Sequence, residues 1–184
     1  MTRIYGVAGT FASGKDTLAD WLEHNGFFHV STSDIVRAGA KEKYGSIDRK
    51  FLFEYANEMR QQKGAGVLVD MALGMAVGNP EVAISGIRSV GEVESLKAAG
   101  GTLIFVDAPV TTRYERAYKR GRDEEVISLE AFKASEEKEL DKPENSSKAE
   151  QNIGAVRDLA DISLNNDTDL GTFFAEATAM IRMN

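Results

Sequence analysis

Gly9-Thr10-Phe11-Ala12-Ser13-Gly14-Lys15-Asp16 follows a strand-like run, Ile4 to Ala8, and opens a helical pattern from Gly14 to Asn25. In that context the glycines let the main chain curl closely around a polyphosphate. Its N–H groups and the helix N-terminus stabilise negative charge, and Lys15 reaches the terminal phosphates. Gly9, Ala12, Ser13, Gly14, Lys15, Asp16 and Thr17 are therefore candidate nucleotide-binding residues. The plainer alternative is a glycine-rich turn with a solvated lysine, and the flanking strand and helix argue against it. Asp16 stands where Ser or Thr usually offers a hydroxyl to Mg²⁺. Its carboxylate can take Mg²⁺ directly or through water, or it can simply favour the positive end of the helix. Thr17 is the next hydroxyl.

Outward from this loop, short β-rich runs alternate with longer amphipathic ones. Ile4 to Ala8, Phe27 to Val30, Val82 to Ser85, Thr102 to Val106 and Asp161 to Leu164 read as strands. Helical patterns occupy Gly14 to Asn25, Asp34 to Tyr44, Lys50 to Gln62, Val67 to Val77, Gly91 to Ala99, Thr111 to Arg120, Leu129 to Leu140 and Leu170 to Ile181. Strands joined by crossover helices imply a parallel sheet covered on both faces. The expectation is a three-layer α/β/α domain with a five-stranded parallel sheet, a single unit over residues 1–184. The polar segment Asp141 to Gln151 reads as a connection rather than a domain linker.

Composition narrows the function. A net charge of −7 disfavours nucleic acid and anionic membranes as partners, so phosphate recognition must come from local Lys and Arg clusters. With no cysteine and only His24 and His29, thiolate chemistry is excluded and zinc hydrolysis is disfavoured. The first strand-like run begins without a signal-peptide pattern, and Val67 to Val77 is too short to span a bilayer, which predicts a cytoplasmic protein.

Further cationic residues occur in order along the chain. Ser31-Thr32-Ser33-Asp34-Ile35-Val36-Arg37 puts Asp34 and Arg37 on one face of a helix start. Asn57-Glu58-Met59-Arg60 lies on the next helix, and Gly86-Ile87-Arg88-Ser89 ends the third strand. Val106-Asp107-Ala108-Pro109 leads to Arg113, Arg116, Lys119, Arg120 and Arg122. Taken one at a time these are helix caps and solvated charges.

As an ordered set over nearly the whole chain, they resemble the P-loop nucleoside monophosphate kinases, the adenylate-kinase-related and dephospho-CoA-kinase-like small nucleotide kinases. Even Gly-Lys-Asp-Thr resembles the loop of some deoxynucleoside-monophosphate kinases. The resemblance implies ATP and Mg²⁺ as cofactors, an acceptor-binding helical region at about 34–78 and a small helical lid at about 116–150. It implies that Asp34, Arg37, Arg60 and Arg88 bind the acceptor, and that Arg116, Arg120 and Arg122 close over the transferring phosphates beside Lys15. It places Asn165 and Asn166 beside the adenine, where plain turn chemistry is the alternative. Asp123-Glu124-Glu125 and the Glu136 to Glu139 run become hinge and outer lid surface. Phe11, Trp21 and Phe28 read as packing residues.

One departure stands out. The related pattern often has Asp before Gly-Ile-Arg to hold Mg²⁺ through water, and this chain has Ser85. Metal binding then falls to Asp16 or Asp107, the latter being equally readable as a strand-end turn residue. The expected activity is transfer of the γ-phosphoryl group of ATP to a nucleoside or deoxynucleoside monophosphate. A dephospho-CoA kinase, with Asp34 as base toward a hydroxyl, and a non-catalytic nucleotide switch are the alternatives.

Overall fold

The computed structural model describes residues 2–121, 128–140 and 147–183. Five parallel strands, β1 (Arg3–Gly9), β2 (Phe28–Ser31), β3 (Glu81–Ser85), β4 (Thr102–Asp107) and β5 (Ile162–Asn165), form one sheet in the order β2-β3-β1-β4-β5. The helices are α1 (Lys15–His24), α2 (Thr32–Tyr44), α3 (Arg49–Lys63), α4 (Val67–Met75), α5 (Val90–Ala98), α6 (Val110–Arg120), α7 (Leu129–Leu140), α8 (Ile153–Asp158) and α9 (Leu170–Met183).

Strand periodicity makes the layers. Val82, Ile84, Leu103 and Phe105 point to one face, under α2 to α5 and α8. Tyr5, Val7, Ala83, Ile104 and Val106 point to the other, where Leu18 and Leu22 of α1 and Phe173, Ala177 and Ile181 of α9 cover them. Successive strand side chains alternate faces, so central strands flanked by helices must be apolar on both. Burying a side chain such as Phe105 or Phe173 contributes about 1.5–3 kcal/mol.

The expected three-layer fold is present, with strand and helix ends within a few residues of the sequence reading. Helix α8 was not anticipated: it is six residues long and contains Gly154. Asn152 caps it by accepting the Ala155 N–H at 3.0 Å. From β1 the chain runs toward β2, whereas from β3 it crosses to β4. The sheet therefore opens a crevice at the C-terminal ends of β1 and β3, the place where open α/β sheets receive ligands.

Candidate active site

The loop after β1 is built by its neighbours. Gly9 sits so close to β4 that a Cβ there would lie 2.3 Å from the Val106 carbonyl oxygen. Ala12 and Gly14 both turn through positive φ, 59° and 97°. For Gly14 that conformation is natural; for Ala12 it stores strain of the sort found at ligand clamps. Thr10 donates its hydroxyl to Asp107 Oδ1 at 2.6 Å, and the same oxygen accepts the Ala108 N–H at 2.8 Å. Asn166 donates its main-chain N–H to the Asp107 carbonyl at 2.7 Å and its side-chain amide to the Ser13 carbonyl at 2.8 Å. The C-terminal ends of β4 and β5 thus hold the loop from behind. Among the described residues nothing hydrogen-bonds Ser13 Oγ or Asn166 Oδ1, both buried. Buried polar atoms are nearly always satisfied, so two orphans at one glycine-rich turn fit a site shaped for a polar ligand.

Beside Lys15 opens a cavity of about 230 Å³, lined also by Asp16, Asp34, Arg37, Ser85 and Arg88. It shares Ser33, Arg37, Gly86 and Arg88 with a second cavity of about 300 Å³ that extends over α3 to Arg49, Phe53 and Arg60. Asp34 and Arg37, both exposed, form an ion pair one helical turn apart. Arg88 is exposed at the exit of β3.

Arg60 is buried, with 4% of its side chain exposed, and pairs at 2.8 Å with Glu92, which is fully buried. The other oxygen of Glu92 accepts the Arg88 N–H at 2.7 Å, and Ser89 Oγ caps α5 by accepting the Glu92 N–H. Arg60 Nε has no hydrogen-bond partner among the described residues and Arg60 lines the larger cavity. The alternative of a surface helix charge is therefore excluded. Sequence reasoning missed Glu92, Arg49 and Gln151; an acidic residue in the first turn of a helix reads as ordinary capping.

Arg116 sends Nη2 to the Asn166 carbonyl at 3.0 Å and Nη1 toward the Ser13 carbonyl at 3.4 Å, so its guanidinium lies against the phosphate loop. Arg120 is exposed one turn further along α6. Arg122 and Asp123-Glu124-Glu125 lie outside the described residues, as does part of the expected lid at 116–150. The surprise is Arg113, which is buried, donates Nε to the Ala108 carbonyl at 2.7 Å and holds Glu136 of α7 with both Nη atoms. Phe132 of α7 packs on Ala12, Ala117 and Tyr114, with the Phe11 ring 5.9 Å away. Glu136 is thus an inward anchor of α7, which corrects its reading as outer lid surface: the Arg113 guanidinium supplies the partner that the sequence alone did not indicate. Trp21 stacks on Phe174 at 5.5 Å.

For Mg²⁺ the donors divide. Asp107 Oδ1 is occupied by Thr10 and Ala108, with Arg113 Nε 3.5 Å away, so this carboxylate ties the loop to β4, as its strand-end reading implies. Asp16 is the more open carboxylate, 64% exposed at the start of α1 and 3.9 Å from the Lys15 ammonium. An oxygen donor at a phosphate loop suits a hard cation. Ser85 hydrogen-bonds His29 Nε2 at 2.8 Å, and His29, Asp20 and Glu23 bring ligand-type atoms within 4.8 Å of one another. Asn165 is exposed at the end of β5, whereas Asn166 is buried against the loop, so the two amides do different work.

A family model described as an AAA domain matches residues 6–150. A UPF0200 protein of Sulfurisphaera tokodaii is 31% identical over 99% of this chain and 97% of its own. Another, from Pyrobaculum aerophilum, is 34% identical over 76% of this chain and 79% of its own. Among solved structures, the dephospho-CoA kinase of Campylobacter jejuni superposes with a TM-score of 0.59 at 18% identity, covering 99% of this chain and 96% of that one. The shikimate kinase of Acinetobacter baumannii gives 0.56 at 13%, covering 100% and 93%. The two solved structures share the fold of this chain. The chain belongs to the AAA-domain family matched over residues 6–150 and, with these relatives, to the UPF0200 proteins.

Proposed function

We propose that the protein transfers the γ-phosphoryl group of ATP to a nucleoside or deoxynucleoside monophosphate. The observation that carries this reading is that Lys15 and the acceptor-side arginines Arg37 and Arg88 line one cavity, which continues past Arg88 to Arg60. A phosphate loop on its own serves binding. A lysine cavity that shares Arg37 and Arg88 with an arginine-lined cavity beside it serves transfer, because two phosphates can meet in line there.

In the proposed reaction an oxygen of the acceptor phosphate forms the new bond to the γ-phosphorus, the bond to the β–γ bridging oxygen breaks, and ADP leaves. Lys15 and Arg116 stabilise charge spreading over the transferring group, while Arg37 and Arg88 hold the acceptor. Asp16, with Thr17 behind it, would hold Mg²⁺, which supplies further charge neutralisation when bound. Asp34, paired with Arg37, would orient that guanidinium for the acceptor phosphate.

The test is a transfer screen with ATP against each nucleoside and deoxynucleoside monophosphate and dephospho-CoA, with products identified by mass. A nucleoside diphosphate formed by the wild type and not by Lys15→Ala is expected. Product only with dephospho-CoA would move the acceptor to a hydroxyl, and product with none would leave a nucleotide-binding protein without transferase activity. Arg88→Ala should raise acceptor KM with ATP affinity little changed.

A further inference from the structure

Behind α7 the chain returns to the acceptor side through residues 147–152, and this stretch is fastened to the Arg88 loop. Gly91 donates its N–H to the Lys148 carbonyl at 2.9 Å and Asn152 donates to the Arg88 carbonyl at 2.8 Å. Ser89, fully buried, forms an antiparallel bridge with Gln151. The result is that Gln151 lines the acceptor cavity on a backbone locked to that of Arg88.

The chemistry of the cavity wall makes this position informative. Its cationic groups are arginines, suited to phosphate. Its hydroxyls include Thr32, whose hydroxyl is donated to the Gly86 carbonyl at 2.9 Å. Its hydrocarbon surface includes Phe53, 60% exposed, a face on which a planar ring can lie. Among the described lining residues Gln151 is the one carboxamide, the group that offers a donor and an acceptor side by side in a plane. That pair complements a nucleobase edge carrying an adjacent acceptor and donor, as carboxamides do when they read bases in pairs of hydrogen bonds.

We propose that Gln151 is the base-reading residue of the acceptor site, and that its pairing with the Arg88 loop fixes the distance between the group that reads the base and the group that holds the phosphate. The proposal rests on the reading of the larger cavity as the acceptor site and deepens it: the acceptor is a nucleotide selected by its base, not any small phosphate ester. A phosphate ester without a base would leave the carboxamide and the Phe53 face unused.

The test measures binding, which does not require turnover. Calorimetric titration of the full chain with AMP, CMP, GMP, UMP and their deoxy forms, dTMP included, is run on wild type, Gln151→Leu and Gln151→Glu, with melting temperatures alongside. Wild type should prefer one base by roughly 10-fold or more, the worth of one bidentate contact. Gln151→Leu, similar in size and unable to hydrogen-bond, should flatten that ratio while the less favoured nucleotides keep their affinity. Gln151→Glu, which presents two acceptors when ionised, should shift preference toward guanine, whose edge carries two adjacent donors. Gln151→Asn, a shorter carboxamide, should also lower the ratio and replaces Gln151→Leu if that variant fails to fold. A base preference that survives these changes, or a wild type that binds all bases alike, overturns the proposal and leaves the kinase reading standing. Wild type that binds no nucleoside monophosphate overturns both.

Discussion

Arg60 and Glu92 meet at 2.8 Å in the interior, 32 positions apart in sequence, and the second Glu92 oxygen receives the Arg88 N–H. One carboxylate therefore sets both a buried guanidinium and the backbone of Arg88. Removing one partner of a buried pair leaves the other charge uncompensated, so Glu92→Ala should cost about 3–5 kcal/mol in denaturant unfolding. The double variant Arg60→Met with Glu92→Leu should recover most of that loss, because well-packed apolar replacements of buried pairs are often neutral. Its acceptor affinity should stay impaired. A single variant as stable as wild type would show that the pair contributes little.

Gly14 carries a prediction of a different sort. Its φ of 97° is unfavourable for an L side chain, and a Cβ would lie 2.1 Å from Asn166 Nδ2. Gly14→Ala should displace the amide that holds the Ser13 carbonyl and lower ATP affinity by roughly 10-fold or more, on the scale of about 1.4 kcal/mol per tenfold. The fold, monitored by circular dichroism, should persist. Unchanged ATP titration would mean that the loop accommodates nucleotide without this geometry.

If Asp16 supplies the open carboxylate for Mg²⁺, Asp16→Asn should raise the Mg²⁺ concentration needed for half-maximal turnover and leave acceptor KM in place. Asp107→Asn should act otherwise, loosening Thr10 and lowering stability by about 1–3 kcal/mol. A Mg²⁺ curve unmoved in Asp16→Asn would assign that carboxylate to the helix end alone.

Asp161 links β4 to β5 by accepting the Leu103 N–H at 2.6 Å, and Lys97 is its ionic partner. Partial burial opposes its ionisation, but the hydrogen bonds from Lys97 and Leu103 outweigh it and hold the carboxyl below the usual aspartate range. A depressed folded-state pKa means that the contribution is present above the ordinary value and disappears as pH falls through the folded value. Asp161→Ala should therefore lower stability at neutral pH by a modest amount, because solvent screens this exposed pair, with the gap from wild type narrowing as pH falls through the carboxylate range. A gap independent of pH would locate the effect in packing.

The sheet and its helices were legible because their signals are local and repeated: short apolar β-rich runs in Val82 to Ser85 and Thr102 to Val106, helical spacing elsewhere, and a glycine-rich turn between the first strand and helix. Lys15 could be named from its place between the first strand and helix, and Arg37 and Arg88 from the resemblance of the ordered cationic set to the nucleoside monophosphate kinases; the fold brings all three to one cavity. Glu92, Gln151 and Glu136 could not. Each matters through a partner far along the chain, Arg60, Ser89 and Arg113 respectively. Asp107 illustrates the same limit: its carboxylate reads equally as a metal ligand or a strand-end turn residue, and the Thr10 hydroxyl that it accepts comes from 97 positions away.

The hold of Asn166 on Ser13 spans 153 positions, and β1 lies between β3 and β4, both made much later. During synthesis the glycine-rich loop leaves the ribosome 153 residues before the amide that braces it. A nascent chain thus carries its phosphate motif long before it can close it, and competence to bind nucleotide should arrive late, in one step, once β5 has docked.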